Sequence, residues 1–102
     1  MNKLIIDTTD SKKTTIKLQS DKFTDELTEE NIPKSQTVLL LIDKVLKRNE
    51  LSPTEIDEIK VSTGPGSFTG TRVGVAVANA LGFGLNIKVN GSKSKQATPK
   101  YS

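Results

Sequence analysis

Thr63-Gly64-Pro65-Gly66-Ser67-Phe68-Thr69-Gly70-Thr71-Arg72 is the stretch that decides how the rest of the chain is read. It is followed by Val73–Leu85, a run without a charged side chain that reads as a buried helix. Before it stands Glu58–Ser62, a short β-like segment. Strand, glycine-rich turn and helix together aim backbone N–H groups at an anion or at another protein. Gly64, Gly66 and Gly70 suit positive φ or close backbone approach. Pro65 fixes its own φ and should push Gly64 into an extended conformation. Ser67 or Thr69 can cap the helix. Two nucleotide loops are excluded. A Walker loop lacks its lysine here, and Gly64, Gly66 and Gly70 are spaced one residue too widely for the dinucleotide fingerprint. By itself the decapeptide fits either a structural turn or a binding loop.

Working outward, Lys3–Thr8 is rich in strand formers, Thr9–Lys12 has turn chemistry, and Lys13–Leu18 alternates polar and apolar residues. Phe23–Leu27 makes a third strand of an antiparallel meander, with Phe23 and Leu27 on one face and Asp25 between them. Pro33 suits the first turn of a helix running to about Asn49. At 100° per residue its Val38, Leu39, Leu41, Ile42, Val45 and Leu46 cover an arc of roughly 160°, wider than one core-facing stripe needs. Leu40 lies outside that arc. A short turn is expected at Glu55–Asp57. In the second helix only Arg72 and Asn79 form a polar wedge. Gly70, Gly74, Ala78 and Gly82 recur every four residues, a groove that admits another backbone. Gly84 should end this helix, and Asn86–Val89 reads as a last strand. The resulting order, β-β-β-α-β-α-β, is a mixed α/β lobe over residues 1–91, with a basic, flexible tail over 92–102.

A helix apolar nearly all round must be covered on both sides, and a sheet covers one. A partner protein is the economical cover; the tail, or a weakly stable monomer, is the local alternative. A chain of 102 residues buries only about 60–70% of its unfolded surface, so it is marginal alone. The chain has no cysteine and no histidine, which removes disulfides, thiolate metal sites, the usual zinc ligand and histidine triads. Net charge is +3, but Lys93, Lys95 and Lys100 of the tail account for the excess, so the body is balanced. A nucleic-acid groove would show a basic stripe, which the body lacks. The run Val73–Ile87 is too short to cross a bilayer, and the start lacks signal-peptide character, so a cytoplasmic location is expected.

The segment from Val61 to Gly74, with Ile6-Asp7-Thr8-Thr9 at the first strand and Ser35-Gln36 opening the first helix, resembles the signature of the TsaB family of tRNA threonylcarbamoyladenosine biosynthesis proteins, also labelled glycoprotease-like. Asp57-Glu58-Ile59 is a looser match. The resemblance runs from about Lys3 to Gly91. It implies a ribonuclease-H-like lobe of the actin, sugar-kinase and Hsp70 ATPase superfamily, the first of two. It also implies a non-catalytic interaction subunit of a TsaD-like transferase in t6A modification of tRNA, with no cofactor and no metal. The same resemblance implies that a TsaE-like ATPase would join the pair, that a homodimer would be open to the chain through the same two helices, and that tRNA would be met only indirectly.

The signature loop is then Gly64, Pro65, Gly66, Ser67, Phe68, Thr69, Gly70 and Arg72. The implied interface, on helices Ser35–Asn49 and Thr71–Leu85, includes Ser35, Leu40, Leu41, Gly74, Val75, Ala78, Asn79 and Gly82. Asp7, Thr8 and Thr9 would be a vestigial phosphate site, or would simply satisfy the hairpin turn. The chain departs from the family in three ways: the second lobe is expected to be absent, Lys34 stands where a histidine is usual, and the transferase's metal-binding histidines are missing. Metal-dependent transfer or peptidase activity is therefore not expected. The alternatives are a nucleotide-binding lobe or weak ATPase, and a direct tRNA-binding module.

Overall fold

The computed structural model describes residues 1–91; the expected tail over 92–102 lies outside them. Five strands form one sheet, β1 (Lys3–Asp7), β2 (Thr14–Gln19), β3 (Thr24–Glu29), β4 (Glu58–Val61) and β5 (Lys88–Val89), in the order β3-β2-β1-β4-β5. The first three are an antiparallel meander, with Lys3 opposite Gln19 and Thr14 opposite Glu29. β4 and β5 are added in parallel, with Leu4 beside Ile59 and Ile59 beside Val89. Parallel neighbours need long crossovers, and two helices supply them: α1 (Ser35–Arg48) and α2 (Phe68–Leu85). This is the expected mixed α/β order and a ribonuclease-H-like lobe.

Alternation sends one face of the sheet inward. Leu4 and Ile6, Ile16 and Leu18, and Ile59 and Val61 are buried beneath the helices, while Lys3, Lys17 and Lys60 point the other way. The outward face is polar, with Lys3 3.5 Å from Glu58 and Lys17 3.6 Å from Glu26. Both helices lie on the inner face. α1 packs over β2 and β3, and α2 packs over β1, β4 and β5. The α1 stripe Val38, Leu41, Ile42, Val45 and Leu46 is buried, and Leu39, at the edge of the expected arc, is exposed.

The third strand begins one residue after Phe23 and runs two beyond Leu27. Its inward-facing acid has a partner. Asp25 accepts from Arg48 Nε and from Asn49 Nδ2, both at 2.8 Å, tying the sheet's edge to the end of α1. Other boundaries also differ from the sequence reading: α1 starts at Ser35 with Lys34 as its cap, so Pro33 precedes the helix and is not in its first turn, and the last strand is only Lys88–Val89 of the expected Asn86–Val89. The turn expected at Glu55–Asp57 is a 3-10 turn at Pro53–Glu55, where the rigid φ of Pro53 starts it. α2 starts at Phe68. It also continues through Gly84 to Leu85 and closes on Asn86 in the left-handed region (φ 55°), where asparagine serves in place of glycine.

Candidate partner-binding face

Two motifs 55 residues or more apart in the chain meet at the top of β1. The Thr8 hydroxyl, fully buried, donates to the Gly70 carbonyl at 2.6 Å and accepts from the Gly74 N–H at 3.0 Å. Gly70 and Gly74 are the i, i+4 pair of a helical turn, so one threonine from β1 bridges a rung of α2. The Ser67 N–H donates to the Thr9 carbonyl at 2.8 Å, and the Ser67 hydroxyl caps α2 by accepting from Gly70 N–H at 3.1 Å.

The glycines are set by close approach. A Cβ on Gly66 would stand 2.7 Å from the Thr9 carbonyl oxygen, and one on Gly70 would run into the Thr8 carbonyl. Gly64 does not take the negative φ of the extended conformation its place before a proline suggested; its φ is +108°, and the peptide to Pro65 is cis. Only glycine takes that backbone region readily. Asp7 Oδ1 accepts from both the N–H (2.9 Å) and the hydroxyl (2.7 Å) of Thr9, so it closes the turn after β1. The loop and the Asp7-Thr8-Thr9 turn are thus one clamp that seats α2 on the sheet.

That seating corrects five of the expected interface residues. Gly74, Val75, Ala78 and Gly82 are buried on the inner side of α2, and Leu41 belongs to the buried stripe of α1. A Cβ on Gly74 would collide with the Thr8 hydroxyl, and one on Gly82 with a Val89 methyl. The backbone admitted by the small-residue stripe is therefore the chain's own, at β1 and β5. Ser35 and Leu40 are exposed and Asn79 is half-buried.

The uncovered surface lies on the other side of the helices. Leu39 is 48% exposed, Leu40 59%, Phe68 56% and Phe83 89%. Between α1 and α2 runs a groove of about 320 Å³, walled by Ser35, Leu39, Ala76, Val77, Ala80 and Leu81. The Arg72 guanidinium stands 5.4 Å from the centre of the Phe68 ring. Leu39, Ala76, Ala80 and Phe83 were missed from sequence. Their signal was there in Ala76 and Ala80, one helical turn apart and pointing away from Gly74 and Ala78. Such a face can exclude water against another apolar surface. Among the described residues no group of three or more acids could hold a metal, and no helix is long and apolar enough to cross a membrane.

The family model described as TsaD, tRNA N6-adenosine threonylcarbamoyltransferase, matches residues 32–98. The chain belongs to this family. Curated relatives carry the name tRNA threonylcarbamoyladenosine biosynthesis protein TsaB. One from Buchnera aphidicola subsp. Baizongia pistaciae is 46% identical over 49% of this chain and 23% of its own length. One from Haemophilus influenzae is 38% identical over 54% of this chain and 23% of its own. The matched segments therefore span about a quarter of the length of these relatives. Among solved structures, YeaZ from Pseudomonas aeruginosa superposes with a TM-score of 0.79 at 27% identity, over 86% of this chain and 41% of that one. The TsaB resemblance read from the glycine signature, and the lobe it implied, stand on these matches.

Proposed function

We propose that the chain is a non-catalytic interaction subunit in the biosynthesis of tRNA threonylcarbamoyladenosine, docking on the threonylcarbamoyltransferase through the outer face of α1 and α2. The observation that carries this reading is the apolar groove between α1 and α2, walled by Leu39, Ala76, Val77, Ala80 and Leu81, together with the exposed Leu40 and Phe83 on the same two helices. Burying apolar surface is worth about 25 cal/mol per Å², and exposed apolar patches mark interaction sites. The TsaB relatives supply the pathway, and the absence of histidine and cysteine from the sequence argues against a catalytic role. In this reading tRNA and a TsaE-like ATPase are reached through the transferase, in the cytoplasm. The nucleotide-binding alternative is disfavoured because Asp7 Oδ1 already serves the Thr9 N–H and hydroxyl.

The test is size-exclusion chromatography with light scattering on the chain mixed with the transferase of the same organism, followed by threonylcarbamoyl transfer to a tRNA transcript. A complex is expected that Leu40→Asp combined with Phe83→Ser abolishes, along with any stimulation of transfer. No complex at micromolar concentrations would remove the reading.

A further inference from the structure

β5 is two residues long, a short hold for a strand at the edge of the sheet. The Asn90 N–H adds one more rung, donating to the Ile59 carbonyl at 2.9 Å. The main chain then leaves the strand conformation, with Asn90 at φ 52° and Gly91 at φ 84°. From there the Asn90 side chain takes over. Its Oδ1 accepts from the Val61 N–H at 2.8 Å, and its Nδ2 donates to the Val61 carbonyl at 3.1 Å. A primary amide carries the donor and the acceptor of a peptide group, so it pairs with β4 as a further strand residue would. Its hold extends to α2, because the preceding Val89 is buried and a Cβ on Gly82 of α2 would collide with a Val89 methyl.

Asn90-Gly91 is also the one Asn-Gly pair in the sequence. Glycine has no Cβ to shield its nitrogen. Among the described residues, nothing beyond its chain neighbours lies within 4 Å of where a Gly91 Cβ would stand. We propose that Asn90 is a latch that seats β5 and the end of α2, and that Asn90-Gly91 is a self-modification site whose reaction the latch restrains. The Gly91 nitrogen, giving its proton to solvent, attacks Asn90 Cγ. The Cγ–Nδ2 bond breaks, ammonia leaves, and a succinimide closes. Water then adds to either ring carbonyl and opens the ring to aspartate or isoaspartate. Nδ2 is both the leaving group and the donor to Val61, so the ring closes only after the latch lets go. The folded chain therefore reacts through opening of the β4–β5 edge. The product carboxylate has no hydrogen to give, which leaves the Val61 carbonyl facing a negative charge. A modified edge does not reclose as before.

Incubation of wild type at mildly alkaline pH, folded and in guanidinium chloride, followed by peptide mass spectrometry, tests the site. In the unfolded chain the small mass gain of amide-to-acid exchange should appear first on the peptide spanning Asn90, ahead of the other asparagines. In the folded chain that gain should be slower by about tenfold or more. Asn90→Asp stands in for one product, and Asn90→Ala removes both bonds without adding charge. Both should lower the urea midpoint, Asn90→Asp at least as much as Asn90→Ala. Equal rates folded and unfolded, no preference for Asn90 in the unfolded chain, or Asn90→Asp with a wild-type midpoint would each overturn the proposal. The two rates are read on wild type, so they decide even where a variant fails to fold.

Discussion

α1 and α2 cross the same face of the same sheet, yet they are held to it by opposite means. α1 presses large aliphatic side chains onto β2 and β3, with Val38 and Val45 fully buried, and turns charges to the outside. α2 approaches along a line of small residues, with Val75 and Val77 buried beside it. Gly70, Gly74, Ala78 and Gly82 let its backbone come down onto Thr8 and Val89, and its bulk, Phe68 and Phe83, stands outside. The difference teaches that side-chain size, more than hydrophobicity, tells which apolar side of a helix its own fold covers. The close side takes the small residues, and the large ones left over are available to another molecule.

The comparison breaks most readily at Gly74. Gly74→Leu should destabilise the lobe by about 3 kcal/mol or more, because the new side chain displaces the buried Thr8 hydroxyl and overpacks the helix–strand contact. That is a large share of the stability of a small domain. In α1 the sign of the volume change reverses. Leu41→Ala removes bulk and should cost about 2–4 kcal/mol through the cavity it leaves. Both are read from urea midpoints at constant m-value. If Gly74→Leu were tolerated as well as a surface change, the small-residue side would not be the inner one.

Thr8→Val keeps the shape and deletes the bridge to Gly70 and Gly74, which should cost about 1 kcal/mol, with Thr8→Ser closer to wild type. A smaller effect separates the helices by pH. The hydrogen bond from Arg48, then that from Asn49, holds the Asp25 carboxyl down at about 2. Its folded value lies below its unfolded one, so its contribution is complete above the ordinary carboxylate range and is lost as pH falls toward 2. The pair is open to solvent and its effect is correspondingly modest. The urea midpoint should drop across that window, and Arg48→Met should flatten the drop. Smallest of all, Leu40→Asp and Phe83→Ser should each move stability by within about 0.5 kcal/mol while removing transferase binding.

Most of the architecture was legible. Alternation in Lys3–Thr8 and Lys13–Leu18, the stripe of α1, and the strand–glycine–helix signature placed every element within a few residues, because each rests on local periodicity and turn chemistry. The outer apolar face was legible only as a conclusion that α2 must be covered twice. Five of the eight residues expected on it lie on the inner side, since a stripe of glycine and alanine admits any backbone and periodicity does not say whose. Nor could spacing show that Thr8 reaches into α2, or that Arg48 and Asn49 meet Asp25 on the inward face.

The chain's own order of residues determined the elements, their sequence, the clamp's two motifs and the family to which they belong, all of which follow from near neighbours in the chain. Only the tertiary structure decided which face of α2 is spent on the sheet and which is left uncovered. That choice depends on contacts between β1, β5 and α2, residues far apart in sequence whose shapes are fitted only when the sheet closes.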